Sequence, residues 1–239
     1  ARKLNSELPS DVADFFRAAQ AGNWQQASNP FAGASRRLYD APPVENSAAL
    51  QAIRQPMIET HIALEYYTQA QPKYATAFGR DIIASIPAGS IFFGGTDPGR
   101  GLVTALCKSH AEGDPFFTIT QNALADGTYL DYVRQMYGQR IYVPTPPDLQ
   151  AAFQEYLFDA QRRLEHDQKF PNEPKQIKPG ESIQMVENRV QVSGQVAVMS
   201  INALLDRIIF AKNPRLEFYV EESFPLEWMY PHLEPHGLI

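Results

Sequence analysis

The sequence is poor in the groups that usually announce a chemistry. It holds one cysteine, Cys107, in 239 residues. No intrachain disulfide can form, and no cysteine pair can hold zinc. No apolar run reaches the about 18 residues that a membrane span needs. No block of Lys and Arg interrupts a net charge of −6, so nucleic-acid phosphates and anionic membrane surfaces are poor partners. The five histidines show no metal-ligand spacing. His232 and His236 lie four apart, but Pro235 between them opposes a continuous helix. No Gly-x-Ser-x-Gly elbow is present, nor a Walker loop or a Gly-x-Gly-x-x-Gly turn. No cofactor is called for. The chain opens on Ala1 rather than Met, which leaves room for a leader, an anchor or a tag before it.

What is there suits a globular fold. Hydrophobic residues make up 44% and charged residues 20%, and a chain of this length buries roughly 70–75% of its unfolded surface without staples. Residues 9–39 read as helices, with Val12, Phe15, Phe16 and Ala19 on one face, a stop at Gly22-Asn23 and an interruption at Pro30. A long helical pattern runs from 47 to 70, with a kink or break expected at Pro56. From about residue 82 short β-rich runs alternate with helical ones. Strands are expected at 90–93, 116–120 and 141–143, and helices at 102–109, 124–137 and 148–166. This order implies right-handed crossovers and buried parallel strands. Three prolines and Gly180 make 167–182 an exposed loop. A weak hairpin at 183–192, a helix after Gly194, a strand at 216–220, a turn near Trp228 and a strand start at 237–239 complete the chain. The expected fold is therefore α/β, with a mostly parallel Rossmann-like sheet flanked by helices. Residues 1–80 form a helical extension packing on the core, and 81–239 form the α/β domain.

Ligands of open α/β sheets bind beyond the carboxyl ends of the strands, which selects four segments. Gly94-Gly95-Thr96-Asp97-Pro98-Gly99-Arg100 links a strand to a helix. Its glycines allow close backbone approach, and the helix start offers N–H groups. Against this, Thr96 or Asp97 serves as an N-cap, Pro98 takes the first helical position, and Arg100 pairs with Asp97. Asp97 suits a sugar hydroxyl or a cation better than a phosphate. Gln121, Asn122 and Asp126 form a second polar cluster, with Asn122 expected to cap the next helix. The third segment is 144–148. Glu221, Glu222 and Ser223 form the fourth, although adjacent carboxylates on extended chain point to opposite faces. His61 and Cys107 read as core residues, and the tyrosines as core or rim.

The run Ser90-Ile91-Phe92-Phe93-Gly94-Gly95-Thr96-Asp97, with Thr120-Gln121-Asn122-Ala123-Leu124 and Thr128-Tyr129-Leu130, resembles the soluble tail of bacterial multi-spanning membrane proteins related to protein O-mannosyltransferases. Asn213-Pro214, Phe218-Tyr219-Val220, Leu233, Gly237 and Leu238 are similar to the end of that tail. The pattern Phe218-Tyr219-Val220-Glu221-Glu222-Ser223 followed by Trp228-Met229-Tyr230-Pro231 also resembles the end of envelope proteins from Verrucomicrobia-like bacteria. The likeness spans 85–239, and this chain keeps only one acid, Asp97, in the family's acidic turn. The resemblance implies an accessory domain of an envelope protein, periplasmic rather than cytoplasmic, without the transferase itself. Three functions follow. A non-catalytic domain would bind a protein partner or a polar ligand such as a glycan at the strand ends. An enzyme would act on a sugar or a phosphorylated small molecule with Asp97 and Glu221 or Glu222. A structural subunit would serve a larger assembly.

Overall fold

A computed structural model describes residues 9–39, 48–95, 98–107, 115–187, 189–221 and 226–237. It is a mixed α/β structure of two units: Ala1–Thr120 with Glu217–Ile239, and Gln121–Leu216. The helices before residue 80 thus share a unit with the parallel sheet.

In the first unit, α1 (Ser10–Gln20) buries Val12, Phe15 and Ala18, three residues apart on one stripe. Gly22 ends it at φ +69°, a left-handed conformation that glycine reaches without a Cβ penalty. The side chain of Asn23 then accepts from the Gln26 N–H at 3.1 Å and opens α2 (Trp24–Tyr39). α3 spans Ala48–Gln69. Pro30 and Pro56, expected to interrupt, lie inside continuous helices. Each forfeits one backbone bond, but Ala27 and Ala34 around the first and Met57 and Leu64 beyond the second are buried in one cluster with Val12 and Phe15. Burial of that shared face outweighs the local defect.

α4 (Pro72–Ser85) begins on proline, which loses nothing at a first helical position. It closes on α5 (Pro98–Leu106) at Gly79, where a Cβ would stand 2.7 Å from the Leu106 side chain. The sheet holds β1 (Ile91–Gly94), β2 (Phe117–Thr120) and β5 (Phe218–Val220). Its order is β2-β1-β5, all parallel. Ile82, Ile86, Val103 and Phe116 cluster with Phe92, so α4 and α5 cover that side of β1. Ile91 and Phe93 alternate to the other side, where Phe93 stacks on Phe218 with centroids 5.9 Å apart.

In the second unit a 3-10 turn, Gln121–Ala123, precedes α6 (Gly127–Tyr137). α7 (Pro146–Lys169), the hairpin β3 (Ser182–Val186) and β4 (Arg189–Ser193), and α8 (Gln195–Lys212) follow. The hairpin is antiparallel and forms its own two-stranded sheet. The strand expected at 141–143 is absent. The asparagine that caps the end of α8 takes the place of a neighbouring strand: Asn213 accepts from the Tyr142 N–H at 2.8 Å and donates to the Tyr142 carbonyl at 3.0 Å. One side-chain amide thus satisfies the peptide that a ladder would have paired. Of the exposed loop expected at 167–182, residues 167–169 belong to α7 and 182 to β3; most of the segment between is exposed, yet α7 fixes it. Asp167 accepts from the N–H groups of Gln176 and Ile177 at 2.8 and 3.1 Å, and Arg163 grips Glu181 through both terminal nitrogens. The strand start expected at 237–239 is a turn at Gly237; residues 238 and 239 lie outside the described residues.

Candidate functional site at the sheet end

The parallel register aligns the strand ends. Gly94 stands beside Thr120, and Phe93 beside Val220. The ladder runs one residue past β5, because the Glu221 N–H donates to the Phe93 carbonyl at 2.9 Å. β1 is central: its chain crosses through α5 to β2 on one side, while β5 lies on the other. The order of strands therefore reverses between β1 and β5, the position at which α/β sheets open a crevice.

Gly94, Gly95, Arg100 and Glu221 meet at this end of the sheet. All four are buried, Arg100 with 1% and Glu221 with 3% of its surface exposed. Thr96, Asp97, Glu222 and Ser223, expected to join them, lie outside the described residues. The close approach that Gly94 permits is made by the chain itself, since a Cβ there would stand 2.6 Å from Cγ of Arg100. Arg100 folds its stem over the glycine and donates through Nε to the Gly95 carbonyl at 2.9 Å. Arg100 pairs with Glu59, 41 residues earlier on α3; the expected pairing with Asp97 lies outside the described residues. Burial pushes the Glu59 carboxyl up, and the charge and hydrogen bond of Arg100 pull it part of the way back. The guanidinium is thus a buried clamp on the β1–α5 turn. No regular pattern pointed to Glu59, because the pair is closed by tertiary packing of α3 on α5.

The remaining expected residues belong to the second unit. Gln121 is fully buried in its 3-10 turn. Asn122 does not cap α6. Asp126 does, accepting from the Thr128 N–H at 2.8 Å and from its hydroxyl at 2.7 Å. The Asn122 carbonyl accepts instead from the Asn202 amide at 3.0 Å. In segment 144–148, Asp148 accepts from the Thr145 N–H and hydroxyl at 2.7 and 2.6 Å and from the Tyr142 hydroxyl at 2.6 Å. Burial alone would raise this carboxyl, but those bonds hold it below the ordinary range. This arrangement fixes the start of α7.

His61 stacks on Phe31 with centroids 3.8 Å apart and meets the Trp24 edge at 4.5 Å. Burial lowers its imidazole, against a pull from Glu65. Among the described residues no three His, Cys, Asp or Glu side chains gather as a metal site, and no helix is long and apolar enough to cross a membrane. Compared with known proteins, the chain matches no protein-family model, no curated protein and no solved structure.

Proposed function

We propose that the chain is a non-catalytic interaction module that takes a polar ligand, such as a glycan, or a polar segment of a protein partner, between the carboxyl ends of β1 and β5. The reversal of strand order at that point carries the reading, because open α/β sheets take their ligands beyond the strand ends where the order reverses. We read the β1–α5–β2 crossover as half of a Rossmann-like sheet, with β5 as the first strand beyond the reversal. Support for binding rather than catalysis comes from Arg100, whose guanidinium is held by Glu59 and by the Gly95 carbonyl and so serves to fix the β1–α5 turn.

The test is a thermal-shift screen of the full chain with oligosaccharides, sugar phosphates, nucleotides and divalent ions. One oligosaccharide class should raise the melting temperature by several degrees, and Glu221→Gln and Asp97→Ala should each reduce the rise. No shift with any class, in a chain that melts cooperatively, would overturn the ligand reading. Turnover of a bound sugar would replace it with the enzyme.

A second reading is an assembly subunit, for which Phe158 on α7, 76% exposed, offers an apolar contact residue. Sedimentation that shows self-association, lost in Phe158→Ser, would select that reading.

A further inference from the structure

The second unit hides an acid with no partner among the described residues. Asp206 on α8 has no exposed surface, and neither of its carboxyl oxygens has a hydrogen-bond partner. It lies between two asparagines, four residues after Asn202 on the helix and seven before Asn213, which caps the helix end. Each asparagine pins a turn of the chain. Asn202 accepts from the Ala125 N–H at 2.6 Å and donates to the Asn122 carbonyl at 3.0 Å. Asn213 does the same for both groups of Tyr142, and donates also to Ile209 of its own helix at 2.8 Å. The helix that buries Asp206 is thus the helix that holds two loops in place.

A buried carboxyl without a partner is tolerable only when neutral, because a desolvated carboxylate costs several kcal/mol. We propose that Asp206 is a pH-sensitive latch: as the neutral acid it lets α8 lie against its neighbours and clamp the 122–125 and 142 turns, and its ionisation draws in water, displaces the helix face and releases both turns.

The surrounding charges leave the acid alone. α8 packs against α7, β4 and the 121–123 turn. On α7 the buried Arg163 and Tyr156 are engaged with Glu181, and Asp167 with the backbone of 176 and 177. Asp148, at the start of α7, holds Thr145 and Tyr142. Arg189 on β4 and Arg207 and Lys212 on α8 are exposed, and the 121–123 turn carries no titratable side chain. Burial is the one cause that acts on the Asp206 carboxyl, and it pushes that carboxyl well above the ordinary range. A carboxyl raised in the folded state gives stability that is complete below its unfolded pKa of about 3.9 and is lost as pH rises toward the folded value.

Hydrogen exchange of the full chain between pH 5 and 8, corrected for the intrinsic rate, tests this at the Ala125 and Tyr142 amides. Wild type should open more readily as pH rises, by up to about tenfold per pH unit. Asp206→Asn and Asp206→Leu should be flat. A flat wild-type profile overturns the proposal, as does an unchanged slope in either folded variant. If neither variant folds, the wild-type profile decides. The other shifted carboxyls of this unit, Asp148, Asp159, Asp167 and Glu181, are all lowered and act in acid. The shifted tyrosines, Tyr142 and Tyr156, are raised and act only above about pH 10.

Discussion

Single side chains carry much of the order at the sheet end. Arg100 and Glu59 are a pair closed away from water, with 1% and 15% of their side chains exposed. Losing Glu59 removes a carboxylate that faces a buried guanidinium. Glu59→Gln should therefore destabilise the first unit by about 3–5 kcal/mol, and Glu59→Leu with Arg100→Leu should recover a large part of it. Urea unfolding of the two variants and wild type checks both values. Gly94 is constrained by the same arginine, and Gly94→Ala should cost about 1–3 kcal/mol by overpacking. His61 offers a pH readout. Its imidazole is lowered by burial between aromatic rings, so it contributes stability that is present above its unfolded pKa of about 6.5 and is lost as pH falls. The melting temperature should drop between pH 7 and 5, and His61→Gln should reduce the drop.

Helices in this protein are held by contacts across elements more than by their own propensity. α2 and α3 run through Pro30 and Pro56 because their buried faces converge on Val12 and Phe15. α8 works as a spine whose asparagines replace a strand edge. Asn213→Ala removes three hydrogen bonds at once and leaves the Tyr142 peptide unpaired. It should cost about 1–3 kcal/mol for each buried group left orphaned, read as faster exchange at Tyr142 and a lower urea midpoint. Helix patterning did make the spine visible, since Ile201, Leu205 and Ile209 mark its apolar stripe. The meaning of Asn202, Asp206 and Asn213 beside that stripe was not legible, because each depends on a partner, or the want of one, far away in sequence.

At the scale of the molecule, opposite pH responses meet in one unit. The Glu181 carboxyl falls to about 2, led by its hydrogen bonds to Arg163, with burial opposing and Tyr156 assisting. A lowered carboxyl gives stability that is present above its unfolded pKa of about 4.5 and is lost as pH falls toward 2. Asp206 acts in the other direction. The second unit should therefore be most stable in mildly acidic solution. Glu181→Gln should weaken the acid limb and Asp206→Asn the neutral one, a separation that denaturant midpoints across pH 3–8 would resolve.

The amino-acid order alone determined where short buried strands could form. Ile91-Phe92-Phe93 and Phe117-Thr118-Ile119-Thr120 are apolar or β-branched runs bounded by turn residues, and a helix pattern lies between them, so parallel pairing followed from local chemistry. The hairpin around 187 and the helix after Gly194 were legible for the same reason. Only the tertiary structure decided that Ile141-Tyr142-Val143 would not become a strand, since the same apolar signal serves a strand or a buried loop. The choice rested on Asn213, 71 residues away, whose amide pairs with the peptide of Tyr142. The pairing of Arg100 with Glu59 was settled in the same way, across 41 residues. Local periodicity records which face of a segment avoids water. It does not record which distant group meets that face, and in this protein those meetings fix the sheet end and the α8 spine.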